Sequence, residues 1–176
     1  MTRSILVAGA TGKQGSALIR ALLQPSSSTA SLRNVTSAPE YHIYALTRKI
    51  SSPSAQSLLK TYHPSTLTLV EGNLDDPSSI IAVFETAKLN DEGGIWGVFA
   101  IMAFPGLGAS AEGEERQGKM LADIALKYGV QVYVYSSAMR AGPKWEDKLD
   151  LKPSGKAKRN VEEHCRELGE KGLRWM

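Results

Sequence analysis

The sequence has one cysteine, three histidines and no apolar run long enough to span a membrane. Each scarcity excludes a class of protein. Cys165 alone can form neither an internal disulfide nor a cysteine zinc cluster, which fits a reducing compartment. His42, His63 and His164 are scattered without ligand spacing, so no metal site is expected. A membrane helix needs about 20 consecutive apolar residues, and the opening MTRSILVAGATG lacks the basic, apolar, cleavage-site order of a signal peptide. The expected location is cytoplasmic, with the nucleus as the second choice. Charge of one sign is scarce too: 21 Lys/Arg against 18 Asp/Glu leave a net +3. Residues 140–159 nevertheless hold seven cations and three acids, a local +4, so the rest of the chain sums to −1. A solvated loop explains this stretch better than a partner surface. With no aromatic stacking platform beside it, direct contact with nucleic acid is not expected.

What is present is ordinary globular composition over 176 residues, 42% of them hydrophobic, enough for one domain with one sizeable core. Ser4–Ala8 is a short apolar run stopped by glycine, the form of a buried parallel strand. A helix follows, with Ala17, Leu18, Ala21 and Leu22 at helical spacing until Pro25. Residues 25–40, rich in Ser, Thr and Pro, read as an irregular insertion. The strand-then-helix pattern then recurs: strands at 41–47, 67–71, 95–102 and 130–135, helices at 53–62, 77–88 and 114–128. Residues 138–155 form a second irregular loop, and a last helix at 156–168 is ended by Gly169. Alternation of this kind implies right-handed βαβ units and an α/β, doubly wound, Rossmann-like parallel sheet. The expected strand order is 3-2-1-4-5, with a sixth strand starting near Leu173.

Ligands on such sheets bind beyond the carboxyl ends of the strands, beside strand 1. There the chain places Gly9-Ala10-Thr11-Gly12-Lys13-Gln14-Gly15, a G-x-x-G-x-x-G turn opening a helix. Glycines allow the tight turn, close approach of a pyrophosphate and close helix–strand packing, while the helix N-terminus offers amide donors. The turn therefore reads as a dinucleotide site. At the end of strand 2, where an NAD site places an acid for the ribose 2′-hydroxyl, this chain has Thr47-Arg48-Lys49. Two cations suit a 2′-phosphate, so NADP(H) is expected over NAD(H). Arg48 lies 33 residues past Gly15 instead of roughly 20, a gap assigned to the 25–40 insertion. Lys49 has the competing role of a solvated cation. After strand 3, Asn73 and Leu74 are assigned to the ligand and Asp76, before Pro77, to the cap of the next helix. Met102, Ala103 and Phe104, ending strand 4, should line the cofactor next, although Phe104 also suits the core.

The succession GATGKQG, TRK, GNLDD, then Glu115-Arg116-Gln117-Gly118-Lys119, YVYSS and Lys158-Arg159-Asn160-Val161-Glu162-Glu163 resembles the NmrA-like family of atypical short-chain dehydrogenase/reductases. It spans nearly the whole chain in the family's order. The block from Gln117 through the YSS run is its most specific part. The resemblance implies a Rossmann domain binding NADP(H), often as a redox sensor or transcriptional regulator that binds a transcription factor or other regulatory protein. Related members reduce quinones or other small carbonyls. Ordinary short-chain reductases use Tyr-x-x-x-Lys, the lysine lowering the phenol's pKa. If Lys158 is the matching lysine, position 154 should hold Tyr, and it holds Ser154. The dyad is absent, no catalytic residue is assigned, and Ser136 or Ser137 alone lacks a base. Lys158 is expected at the nicotinamide ribose, with Lys156 as the one-turn alternative. The leading expectation is a regulator with little or no catalysis; the alternative is an NADPH-dependent oxidoreductase. Because strand 6 opens only at the end, the 176 residues are expected to be the cofactor-binding part of a longer protein, lacking its C-terminal lobe.

Overall fold

The computed structural model describes residues 2–24, 41–90, 93–103, 110–137 and 153–176. The insertion expected at 25–40 and most of the 138–155 loop lie outside these. Five strands, β1 (Arg3–Ala8), β2 (Tyr41–Thr47), β3 (Leu67–Glu71), β4 (Ile95–Ala100) and β5 (Val132–Tyr135), pair in parallel in the order 3-2-1-4-5. The helices are α1 (Lys13–Leu23), α2 (Pro53–Thr61), α3 (Pro77–Asn90), α4 (Glu112–Lys127) and α5 (Pro153–Glu170). None among the described residues is long and apolar enough to cross a membrane.

Alternate residues along the strands divide the core between the two faces of the sheet. Ile5, Val7, Ile43 and Ala45 pack with Ile19 of α1 and Leu58 of α2. Leu6, Ala8, Tyr44, Leu46, Val98 and Tyr133 pack with α3, α4 and α5 through Phe84, Leu121 and Val161. The inward face of α1 is rotated from the expected one: Ala17 and Ala21 are exposed, while Gly15 and Ile19 are buried. Ile19 is fully buried, which is worth about 2–3 kcal/mol; alanine carries too little apolar area to compete for that face.

Local caps set several of the helix ends. Ser52 accepts the Ala55 amide at 3.3 Å ahead of α2, and Asp76 accepts the Ser78 amide at 3.0 Å ahead of α3, as expected of residues preceding proline. The last helix begins at Pro153 and passes through Gly169, so it is longer at both ends than the 156–168 expected. Of the two glycines at this helix end, Gly172 and not Gly169 has a positive φ, +110°. There the Leu173 amide donates to the Leu168 carbonyl at 3.0 Å and the Gly172 amide to the Gly169 carbonyl at 3.1 Å, closing a Schellman turn. Gly129, at φ +69°, closes α4 in the same way. Beyond Leu173 the chain lies parallel to β5 as a single bridge, Trp175 to Tyr133, so where a sixth strand is expected the described residues show one isolated bridge beside a five-stranded sheet.

Candidate functional site

Strand β1 lies between β2 and β4, so the crossovers run to opposite sides of it. Opposed crossovers leave a crevice at its carboxyl end. A cleft of 540 Å³ opens there. It is lined by Gly9, Thr11 and Gly12 of the turn, Arg48 and Lys49 after β2, Asn73 and Leu74 after β3, and Met102 and Ala103 after β4. Nine of the expected ligand residues are thus brought together.

The glycine turn is built by three different constraints. Gly9 sits at φ +80°, a conformation that side chains rarely adopt. The Gly12 amide donates to the Gly9 carbonyl at 2.9 Å. A Cβ on Gly15 would stand 2.3 Å from the Gly9 oxygen and 2.8 Å from the Ala10 Cα, so α1 rests directly on the turn. Ala10 and Gly15 are therefore buried under the turn, outside the cleft lining. Lys13 and Gln14 are exposed in the first turn of α1, which contains no acid to compete with a bound anion. The cradle fits a phosphate: glycine where backbone must approach, and a helix N-terminus aimed at the crevice.

Arg48 and Lys49 are exposed and line the cleft together with Asp75. Asp75 accepts from Gln117 at 3.0 Å and from Arg116 at 2.7 Å. Those two hydrogen bonds, with a weaker pull from the Arg48 charge, hold its carboxyl below the usual range. Asn73 uses its Oδ1 to accept the Asp75 amide at 3.1 Å, which shapes the loop after β3. Met102 is 4% exposed and reaches both the core and the cleft; Phe104 lies outside the described residues.

Lys158 does not line this cleft. Its ammonium pairs with Glu114 Oε1 at 2.7 Å, donates to the Ser136 carbonyl at 3.3 Å, and lies 5.6 Å from the Tyr135 ring centroid. The Ser136 hydroxyl donates in turn to Gln14 Oε1 at 2.6 Å, which ties the end of β5 to the first turn of α1. Ser154, where a reductase would carry tyrosine, donates to Glu114 Oε2 at 2.9 Å. Ser137 donates to Glu162. Sequence reasoning missed Glu114, Asp75 and Gln117, because their partners are 40 or more residues away and only the fold joins them. Cys165 faces the core with Val161 and Leu168, where burial pushes its thiol up to about 12.

A parallel sheet in this order, with a glycine turn and helix N-terminus at the point where the crossovers diverge, defines a Rossmann-like fold. The chain belongs to the NmrA-like family, whose model matches residues 1–172. A curated relative, the NmrA-like family domain-containing oxidoreductase hkm9 of Aspergillus hancockii, is 29% identical over 170 residues, which are 94% of this chain and 42% of hkm9. The Bordetella bronchiseptica enzyme WbmH, solved in complex with NAD+, superposes with a TM-score of 0.66 at 15% identity, over 99% of this chain and 54% of that one. The NADPH-dependent quinone oxidoreductase QOR2 of Escherichia coli, solved with NADPH, gives 0.61 at 17% identity, over 97% of this chain and 46% of that one. At such identities these neighbours establish the fold. The chain spans about half the length of the proteins it matches.

Proposed function

We propose that these residues form the dinucleotide-binding part of an NADP(H)-dependent oxidoreductase acting on a quinone or other small carbonyl. The observation that carries the reading is the cleft: a glycine cradle at one end of the dinucleotide path, and Arg48 and Lys49 where the adenosine ribose would lie. An acid at that position would favour the free 2′-hydroxyl of NAD; cations favour a 2′-phosphate. The solved neighbours include proteins complexed with NAD+ and with NADPH, so the preference rests on these two side chains. The relative hkm9 carries the name oxidoreductase, which moves the reading from the regulator expected first to the alternative. When bound, the dinucleotide supplies the hydride; the chain's part is to bind and orient it.

A second reading has one observation in its favour. The hydroxyl at position 154 is engaged by Glu114, so Ser154 does not stand in for the missing phenol. That suits a redox-sensing regulator which binds NADP(H) and presents its occupancy to a protein partner. One experiment separates the two. Fluorescence titration first measures NADPH and NADH binding, and steady-state NADPH oxidation is then followed against a quinone panel. The oxidoreductase reading expects tighter NADPH binding and quinone-dependent turnover. Tight binding without turnover on any quinone favours the regulator, and no binding of either nucleotide removes both.

A further inference from the structure

Helices α4 and α5 run side by side along a polar and apolar seam. A Cβ on Gly118 would lie 2.7 Å from Val161 Cγ2, so the Val161 side chain of α5 packs directly against the backbone of α4 at mid-length. Near the far end His164 meets Asp123 at 2.7 Å, partly in solvent. At the near end Glu115 accepts from Asn160 at 2.7 Å. Beside it, Glu114 is the exception: its side chain is 1% exposed, and Lys158, its cation, is 19% exposed. Burying a carboxylate is costly unless a cation and hydrogen bonds compensate it. A buried pair therefore needs a reason beyond joining two helices that already interlock at Gly118.

The arrangement of the ammonium supplies one. The contact with Glu114 Oε1 is an ion pair outside hydrogen-bond alignment, because that oxygen has no hydrogen-bond partner among the described residues. Ser154 occupies the other oxygen. The Ser136 carbonyl takes one N–H of Lys158. Ser136 also grips Gln14 through its hydroxyl, so Lys158 is anchored one residue away from the helix that carries the glycine turn. Of three ammonium protons, at least one is left without a partner among the described residues. It lies at the carboxyl end of β5, the side of the sheet on which ligands bind.

We infer that Glu114 is a positioning residue for the nicotinamide half of the dinucleotide: it fixes the Lys158 ammonium against Ser136 so that its spare N–H faces the nicotinamide ribose. The inference rests on the dinucleotide reading of the cleft and adds a residue that no sequence motif marks. Ser154 holds the other oxygen of the same carboxylate at 2.9 Å.

The test compares NADPH with 2′,5′-ADP, which keeps the adenosine half and its phosphates but lacks the nicotinamide ribose. In Glu114→Gln, NADPH affinity should fall about tenfold, the loss of one charge-assisted contact, with 2′,5′-ADP affinity unchanged. Asp123→Asn, at the other end of the seam, should change neither. Equal weakening of both ligands in Glu114→Gln, or of neither, overturns the inference while the cleft reading stands. If the unsubstituted protein binds neither ligand, the cleft reading falls and takes the inference with it. A measurement on the unsubstituted protein covers a variant that fails to fold. Acetylation of Lys158, read by mass spectrometry, should be suppressed by NADPH and not by 2′,5′-ADP; equal protection by the two ligands overturns the assignment.

Discussion

Substituting alanine in turn at Gly15, Gly9 and Gly12 separates packing from conformation within one seven-residue loop. At Gly15 the added carbon would stand 2.3 Å from the Gly9 carbonyl oxygen and 2.8 Å from the Ala10 Cα. Neither is a flexible side chain, so α1 must lift off the turn by about 1 Å. Overpacking of this kind costs about 1–3 kcal/mol. Because all three close atoms are backbone, the cost falls at the upper end, about 3 kcal/mol; alanine's better helix propensity returns about 1 kcal/mol, for a net loss of about 2 kcal/mol. At Gly9 the obstacle is φ +80° together with an Ile101 oxygen at 3.1 Å, worth about 1–2 kcal/mol. At Gly12 the backbone is extended, φ −83°, and the nearest atom is 3.2 Å away, so the loss should stay below about 1 kcal/mol. Thermal unfolding should therefore rank Gly15→Ala lowest, with a Tm drop of about 4–8 °C for a chain of this size, and Gly12→Ala nearest the parent. NADPH titration should also show a loss for Gly15→Ala, because lifting α1 withdraws its amide donors from the phosphates. A Gly12→Ala variant as unstable as Gly15→Ala would refute the packing account of this turn.

Arg48→Ala should weaken NADPH by about tenfold or more and NADH by less than about twofold; equal losses in parallel titrations would sink the 2′-phosphate assignment. Lys158→Met leaves the Glu114 carboxylate buried without its cation and should cost about 3 kcal/mol in urea unfolding, whereas Glu114→Gln with Lys158→Met should cost clearly less than the two single changes added. Strict additivity would show that the pair is not coupled. Cys165 should resist thiol reagents at pH 8 until the protein unfolds, since burial raises its thiol from 9.0 to about 12. The same shift has a sign in stability: the unfolded thiol ionises first, so its contribution is intact below pH 9 and is lost as pH rises from 9 toward 12. Burial of Tyr135 pushes its phenol in the same direction. Alkaline denaturation that left stability flat across that window would contradict both.

Most of the strand framework was legible because buried parallel strands are short apolar runs bounded by glycine, proline and polar residues. The limits of β2 and β3 were as expected, at Tyr41–Thr47 and Leu67–Glu71. The ends of α5 were not, for two local reasons. Pro153, read as loop, is at home in a first helical turn, and Gly169 keeps to the helix because the positive φ that ends one falls at Gly172. In α1, alternating alanine and leucine allowed two nearly equal faces, and tertiary packing on Ile19 chose between them. The candidate site was legible wherever it is made by the residue following a strand, since topology alone brings those together. It was illegible where a side chain reaches across elements. Nothing near Glu114 in the chain announces Lys158, and nothing near Asp75 announces Gln117.

The bridge beside β5 also bears on association. A parallel sheet exposes unpaired amides and carbonyls at its margins, and such margins are templates for pairing with another chain. At the β5 margin the Tyr133 amide donates to the Arg174 carbonyl at 2.8 Å and the Tyr135 amide to the Met176 carbonyl at 2.9 Å, while the Met176 amide returns a bond to Tyr133. Three residues of irregular chain thus blunt one border of the sheet, and Gly172 makes the turn that delivers them. Replacing Gly172 by a β-branched residue would therefore bare that border, and self-association should rise before the core is lost.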